Sequence, residues 1–265
     1  MDLQLAGKRA IVTGASRGIG FAVAKVLAAE EVHVALVARS QQALDIASAE
    51  LTATGAKASA RVCDTTDDEA VRAMVAQVAL DLGGIDILVN AAAQPSIPGA
   101  SRPLQELEDA DLRVEIDTKV LGYLRCAKAV APHMTSQGWG RIINVSGLAA
   151  RQTGSVFGSI RNVAVAAMTK NLADELGPSG INVTVVHPGM TATERTPGLI
   201  AEMAANRGSS EEEVIRRIAA GISIRRFVTA AEIADVVAFL ASPRSVSING
   251  EAVAVGGGVV GPIYY

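Results

Sequence analysis

The stretch Ala10-Ile11-Val12-Thr13-Gly14-Ala15-Ser16-Arg17-Gly18-Ile19-Gly20-Phe21-Ala22-Val23-Ala24-Lys25-Val26-Leu27-Ala28-Ala29 decides how this chain folds. Its opening is a short apolar run that reads as a buried strand. Its end, from Phe21 onward, is alanine-rich, low in charge and helix-favouring. Between them stand Gly14, Gly18 and Gly20, residues that let a backbone approach an anion closely. A helix N-terminus that follows directs free N–H groups and a positive dipole end at the same place. The glycines alone would also suit an ordinary strand-to-helix connection. Strand, glycine turn and helix in this order read as the phosphate-binding start of a βαβ unit.

The pattern continues outward. Apolar runs recur at Arg9–Thr13, His33–Ala38, Ala58–Val62, Ile85–Asn90, Arg141–Val145, Asn182–His187 and Ala252–Val255. Most are continuous instead of alternating, as strands buried on both faces of a parallel sheet should be. Helical segments lie between them at Gln41–Thr54, Asp67–Leu82, a long one around Leu112–Met134, Ile160–Leu176 and Ala230–Leu240. Strands alternating with helices predict one α/β domain over residues 1–265, a doubly wound, Rossmann-type fold with a mostly parallel seven-stranded sheet. The stretch from His187 to Arg226 departs from this rhythm: no strand is expected, only short helices near Leu199–Asn206 and Glu211–Ala220, the second opened by a Ser210/Glu213 capping box. Placed after a strand's C-terminal end, residues 190–226 read as a lid over a substrate pocket, with a purely stabilising excursion as the alternative.

Bulk properties narrow the function. A chain of 265 residues suffices for one large core. Net charge is −3 with both signs interspersed and a single Trp, which argues against nucleic-acid binding. No uncharged apolar run approaches the ~18 residues of a membrane span, and no secretory signal is visible, so a cytoplasmic location is expected. Cys63 and Cys126 read as small buried hydrophobes, and His33, His133 and His187 are isolated, so no metal site is expected.

The spacing Gly-x-x-x-Gly-x-Gly, with Thr13 before it and Arg17 inside it, resembles the short-chain dehydrogenase/reductase family, and further matches cover almost the whole chain. The resemblance implies a nicotinamide dinucleotide held by Gly14, Ser16, Arg17, Gly18, Ile19 and Gly20. It places Asp64 and Thr65 at the adenine, although Asp64 could equally cap the following helix. Asn90, Ala91 and Ala92 match part of the family's Asn-Asn-Ala-Gly turn, with Asn90 expected to tie neighbouring strands through their backbones. Pro188, Gly189, Thr191 and Thr193 match the turn that holds the carboxamide and pyrophosphate. An NAD site needs a carboxylate at the end of the second strand, and Ala38-Arg39-Ser40 offers none. Arg39 and Arg17, with the Ser40 hydroxyl, suit a 2′-phosphate, so NADP is expected.

The family's chemistry uses a Tyr as proton donor, a Lys one helical turn later, a Ser that polarises the carbonyl and an Asn in the proton relay. Counting back from Met168-Thr169-Lys170, the Tyr and Lys positions fall on Gly158 and Asn162. The Ser position falls on Gly147, leaving Ser146 one residue early, and the relay Asn position falls on Lys119. Gly147 and Gly158 remove bulk and would widen the space beside the nicotinamide. Candidate catalytic residues are therefore Lys119, Ser146 and Asn162. Two functions stay open: an NADP-dependent oxidoreductase acting on a carbonyl or alcohol through a relocated proton relay, and a redox-inactive NADP(H)-binding sensor or partner subunit. Leu199, Ile200 and Met203 suggest an apolar pocket wall, and Arg195 and Arg207 an anion. The resemblance also implies a homodimer or homotetramer built on the two long helices and the C-terminal end.

Overall fold

Every long apolar run forms a strand, and the central strands of the sheet are buried on both faces. The computed structural model describes residues 1–93, 103–261 and 263. Strands β1 (Arg9–Thr13), β2 (His33–Ala38), β3 (Ala58–Val62), β4 (Ile87–Asn90), β5 (Gly140–Val145) and β6 (Ile181–Pro188) join the late strand Ala252–Val255 in one sheet. The sheet has seven strands, and every pairing is parallel. The order β3-β2-β1-β4-β5-β6 ends on Ala252–Val255 and reverses direction beside β1, as in a doubly wound sheet.

The continuous runs are explained by the layers. Helix α1 (Gly18–Ala29) packs on one face, where Ala10 and Val12 meet Val23 and Leu27. After α2 (Gln41–Thr52), helix α3 (Asp68–Leu82) covers the opposite face, where Ile11 meets Val71 and Val75. Cys63 and Cys126 are free thiols buried in this second layer, and burial pushes them up to about 11 and about 12.

The long helix expected around Leu112–Met134 is in fact three pieces. An α-helical start, α4 (Asp109–Glu115), widens into a π-helical stretch over Ile116–Leu121 before α5 (Gly122–Gln137) resumes. Sequence periodicity does not reveal this change, because the apolar spacing of one wide turn still fits a helix. Lys119 lies inside the wide stretch. Helix α6 (Val156–Leu176) follows β5.

The expectation of no strand between His187 and Arg226 is corrected. Thr191–Ala192 forms β7, which pairs in parallel with β8 (Val228–Thr229). Two-residue strands are too short to carry a readable period. Between them run α7 (Thr196–Arg207) and α8 (Glu211–Ala220), the latter opened by the expected reciprocal cap between Ser210 and Glu213. Helix α9 (Ala230–Ala241) and strand β9 (Ala252–Val255) complete the chain's regular elements. Among the described residues, no helix is long and apolar enough to cross a membrane.

The glycine turn is enforced by packing. Gly14 has φ +67°, and a Cβ there would lie 2.7 Å from the Ala91 carbonyl oxygen. A Cβ on Gly20 would lie 2.4 Å from the Gly14 oxygen. Gly14→Ala should therefore destabilise the fold by about 1–3 kcal/mol. Urea unfolding checks this, and a loss below about 0.5 kcal/mol would contradict the close approach.

Candidate functional site

The polar residues of the sheet gather where the strands end. Thr13 Oγ1 accepts from the Ala91 and Ala92 amides at 3.1 and 3.3 Å, binding the exit of β1 to the exit of β4. Asn90 Nδ2 donates to Asn144 Oδ1 at 3.0 Å and to the Tyr123 carbonyl at 3.4 Å. Asn144 Nδ2 passes the chain on to Thr169 Oγ1 at 2.9 Å. Asn90 was expected to bond strand backbones. Its partners are instead an Asn side chain on β5 and a helix carbonyl, because parallel neighbours already use their own backbone groups.

The expected dinucleotide residues spread along this edge. Gly14, Ser16, Arg17, Gly18, Ile19 and Gly20 form the turn into α1, and Arg17 and Arg39 are exposed. A Cβ on Gly18 would meet only Glu194 Oε1, at 3.8 Å, so the face of the turn is open to a phosphate. Ser40 Oγ accepts from the Ala43 amide at 3.3 Å and so caps α2 beside Arg39. Asp64 does not cap a helix: it accepts from Thr66, while Asp67 caps α3. The Thr65 carbonyl accepts from Arg125. These residues are compatible with a dinucleotide laid across the carboxyl ends of the strands, the open crevice of such sheets.

Ile19, Pro188, Gly189, Thr191 and Thr193 turn inward and line a cavity of about 1070 Å³. Its wall also carries Lys119, Ser146, Gly147, Gly158, Arg161 and Asn162. The structure thus brings the three candidate catalytic residues together. Lys119 Nζ donates to the Ser146 carbonyl at 2.9 Å, and Ser146 Oγ donates to the Asn162 carbonyl at 3.2 Å. Lys119 is 4% exposed. Burial, and then the Arg161 guanidinium, lower its ammonium to about 7, against a smaller opposing pull from Glu115.

Two further residues bear on this floor, Arg161 in its wall and His187 behind it. Arg161 is buried and forms an ion pair with Glu115 at 2.8 Å, joining α6 to α4. Gly158, Arg161, Asn162, Val165 and Thr169 are all buried on α6, and that helical spacing is the signal that would have placed Arg161 inside. His187 is also buried, with Nδ1 lacking a hydrogen-bond partner. Burial first, then Arg151 and Lys119, hold it down at about 4, so it is neutral near pH 7.

The space freed by the two glycines is not simply empty. A Cβ on Gly147 would lie 3.0 Å from Asn162 Nδ2, and one on Gly158 would lie 2.8 Å from Ser155 Oγ. Ser155 Oγ accepts from the Gly158 amide and caps α6. Both glycines line the cavity, and Asn162 and Ser155 lie against them. Tyr123 is remote from proton transfer, since its hydroxyl donates to the Val145 carbonyl at 2.9 Å and burial pushes its acidity far beyond the usual phenol range. Tyr264 and Tyr265 lie outside the described residues.

Residues 8–204 match the family model described as short chain dehydrogenase. The chain is 38% identical over 250 residues to a short-chain reductase protein, NovJ, of Streptomyces niveus, covering 94% of this chain and 92% of that protein. It is 35% identical to gluconate 5-dehydrogenase of Gluconobacter oxydans, covering 96% of this chain and 95% of that one. The crystal structure of L-sorbose reductase from Gluconobacter frateurii, complexed with NADPH and L-sorbose, superposes with a TM-score of 0.92. That likeness has 29% identity and covers 99% of this chain and 100% of that one. A parallel sheet with its polar residues at the carboxyl edge, a glycine turn open to phosphate and relatives matched along nearly their whole length agree: the chain belongs to the short-chain dehydrogenase/reductase family of oxidoreductases, whose members bind a nicotinamide cofactor.

Proposed function

We propose that this protein binds NADP(H) along the carboxyl edge of its sheet and reduces a small carbonyl substrate, with Lys119 as the proton donor. The carrying observation is the Lys119 amine, buried in the cavity wall and fixed on the Ser146 carbonyl at 2.9 Å. In this reading Gly158, Asn162, Gly147 and Lys119 stand at the positions that hold Tyr, Lys, Ser and Asn in the family. When bound, the cofactor supplies the hydride. The Lys119 ammonium gives a proton to the oxygen as negative charge develops there: an N–H bond breaks, an O–H bond forms, and a neutral amine remains. Arg161, held by Glu115, favours that proton's departure and stabilises the developing oxyanion. The Asn162 Oδ1 atom is buried without a hydrogen-bond partner, and it is suited to accept from a ribose or substrate hydroxyl.

Preference for NADP rests on Arg39 and Arg17, both exposed beside the turn with no carboxylate at Ala38. The NADPH of the L-sorbose reductase complex supports it. Residues 190–226 serve as the lid. Leu121, Leu124, Val156, Ile160 and Val163 are exposed apolar residues on and beside α5 and α6, which supports a homodimer or homotetramer formed through those helices. A second reading, a redox-inactive NADP(H) binder, is favoured by the Asn162 and Ser155 atoms crowding Gly147 and Gly158. It requires tight NADPH binding with no NADPH oxidation across a carbonyl and enone panel, the assay that separates the two.

Calorimetry should show Arg39→Ala losing about tenfold or more in NADPH affinity with NADH affinity unchanged. Equal discrimination in parent and variant would overturn the assignment.

If Lys119 is the donor, reduction should slow as pH rises through about 7, because the ammonium is lost there. Lys119→Met should lose most turnover and the inflection while still binding NADPH; a pH profile unchanged by the substitution would exclude the role.

The same residue makes a stability prediction. Its folded value, about 7, lies below the unfolded 10.5, so the unfolded chain binds more protons in between and stability rises with pH over that window. Lys119→Met should therefore gain most over the parent below pH 7, with the gain fading towards pH 10, as thermal melts would report.

A further inference from the structure

The cavity is cationic in a protein that is not. The whole chain carries −3, yet the cavity wall holds Lys119, Arg161, Arg195, Arg207 and Arg217 against only Glu194 and Glu202. Lys119 and Arg161 belong to the floor already described. Arg195 precedes α7 next to the Thr193–Thr196 turn, on the side expected to hold the pyrophosphate. Arg207 and Arg217 have no such neighbour.

Arg207 ends α7, twelve residues and so roughly 18 Å of helix beyond Arg195. Arg217 lies in the last turn of α8. Neither makes a hydrogen bond or ion pair among the described residues, and both are exposed. A cation is favoured in the last turn of any helix, but that preference does not choose a face. Here the face is chosen: Arg217 lines the cavity, whereas its neighbour Arg216 does not. The two helices are locked by Ile200, Met203, Ala204 and Val214, a small core separate from the main layers. Met190, Leu199, Met203 and Ile218 supply apolar wall to the same cavity.

We infer that Arg207 and Arg217 form an anion subsite in the lid, which takes the carboxylate or phosphate end of an acidic carbonyl substrate whose carbonyl lies against Lys119. The inference rests on the proposed reading of this cavity as the substrate pocket. The guanidinium forks bind the oxyanion, and the Met190, Leu199, Met203 and Ile218 wall holds the apolar middle. A neutral ketone of the same length lacks the charge-assisted bonds and leaves both guanidinium groups without a ligand.

The test uses the full chain saturated with NADPH and a homologous series of methyl-ketone carboxylates from levulinate upward, each beside its methyl ester. Calorimetry should find one chain length at which the acid binds about tenfold or more tightly than its ester, with the preference shrinking as salt is raised. Arg207→Gln with Arg217→Gln should weaken the acid to the level of the ester, leave the ester and NADPH unchanged, and Arg216→Gln should change nothing. Acid and ester binding alike at every length would overturn the subsite, as would a double variant that keeps the acid preference. NADPH oxidation is read in the same samples. An acid preference that needs both arginines, without any oxidation, upholds the subsite and rejects the reductase reading; oxidation of ketones with no acid preference rejects the subsite alone.

Discussion

A parallel sheet covered on both faces leaves only its edges for polar chemistry, and this constraint arranges everything else. Ile11 faces one layer while Ala10 and Val12 face the other, so no residue within β1 is free to meet a ligand. At the carboxyl ends Asn90, Asn144 and Thr169 join β4, β5 and α6 in one buried chain of hydrogen bonds, while at the opposite ends Arg141 and Asn182 donate to the carbonyls of Ser242, Val246 and Ile248. The bonds at the carboxyl ends fix the relative height of β4, β5 and α6, and they leave Asn90 Oδ1 buried without a partner among the described residues. The height of α6 against β5 in turn decides that Asn162 meets Ser146 and Gly147. The cavity floor is a consequence of the sheet's polar seam.

On that floor the electrostatics are uneven in a useful way. Lys119, Arg161, Arg151 and His187 act on one another in a buried region, and Glu115 is the nearby carboxylate that pairs directly with Arg161. A buried region of this kind favours discharge of its weakest cation. His187 is already neutral, and Arg161 is paired with Glu115. The burden falls on Lys119, which burial and Arg161 hold down at about 7. The wide π-helical stretch over Ile116–Leu121 carries that residue, and such stretches inside α-helices recur at functional sites. In this chain it interrupts the helix between Glu115 and Gly122, the two ends that contact Arg161 and Thr65.

Much of this was legible beforehand, for identifiable reasons. The strands at Arg9–Thr13, His33–Ala38, Ala58–Val62 and Ala252–Val255 have the bounds their apolar runs predict, because a run of apolar residues marks a sheet strand both at the buried centre and at the partly exposed edges. The Ser210/Glu213 cap is local and was equally readable. What escaped were features set by tertiary contact. The π-helical stretch keeps helical spacing, so the long helix looked unbroken. The β7–β8 pairing involves two residues a side and has no period. Asp64 was a cap candidate, but the helix is capped by Asp67, whose side chain accepts from the Glu69 and Ala70 amides. Arg161 sat in plain view within Gly158–Asn162, yet its ion pair is with a residue forty-six positions earlier, Glu115, which no local rule connects to it.

The glycines at 147 and 158 show how far the floor has adapted. Gly147 is extended, with φ 172°, a conformation open to any residue, so its backbone does not demand glycine. The obstacle is Asn162, whose amide nitrogen lies where a Cβ would crowd it at 3.0 Å. At Gly158 the obstacle is Ser155, whose hydroxyl satisfies an otherwise unpaired amide at the start of α6. A Tyr at 158 would have to displace that cap, and a Ser at 147 would have to displace the Asn amide. Neither replacement is independent of its neighbour, so side-chain changes at 147 and 162 would be coupled, as would those at 155 and 158. Lys119 is tied to the same set through the Ser146 carbonyl, the residue directly before Gly147. The floor therefore behaves as one packed unit, in which a larger side chain at 147 or 158 requires its neighbour to move as well.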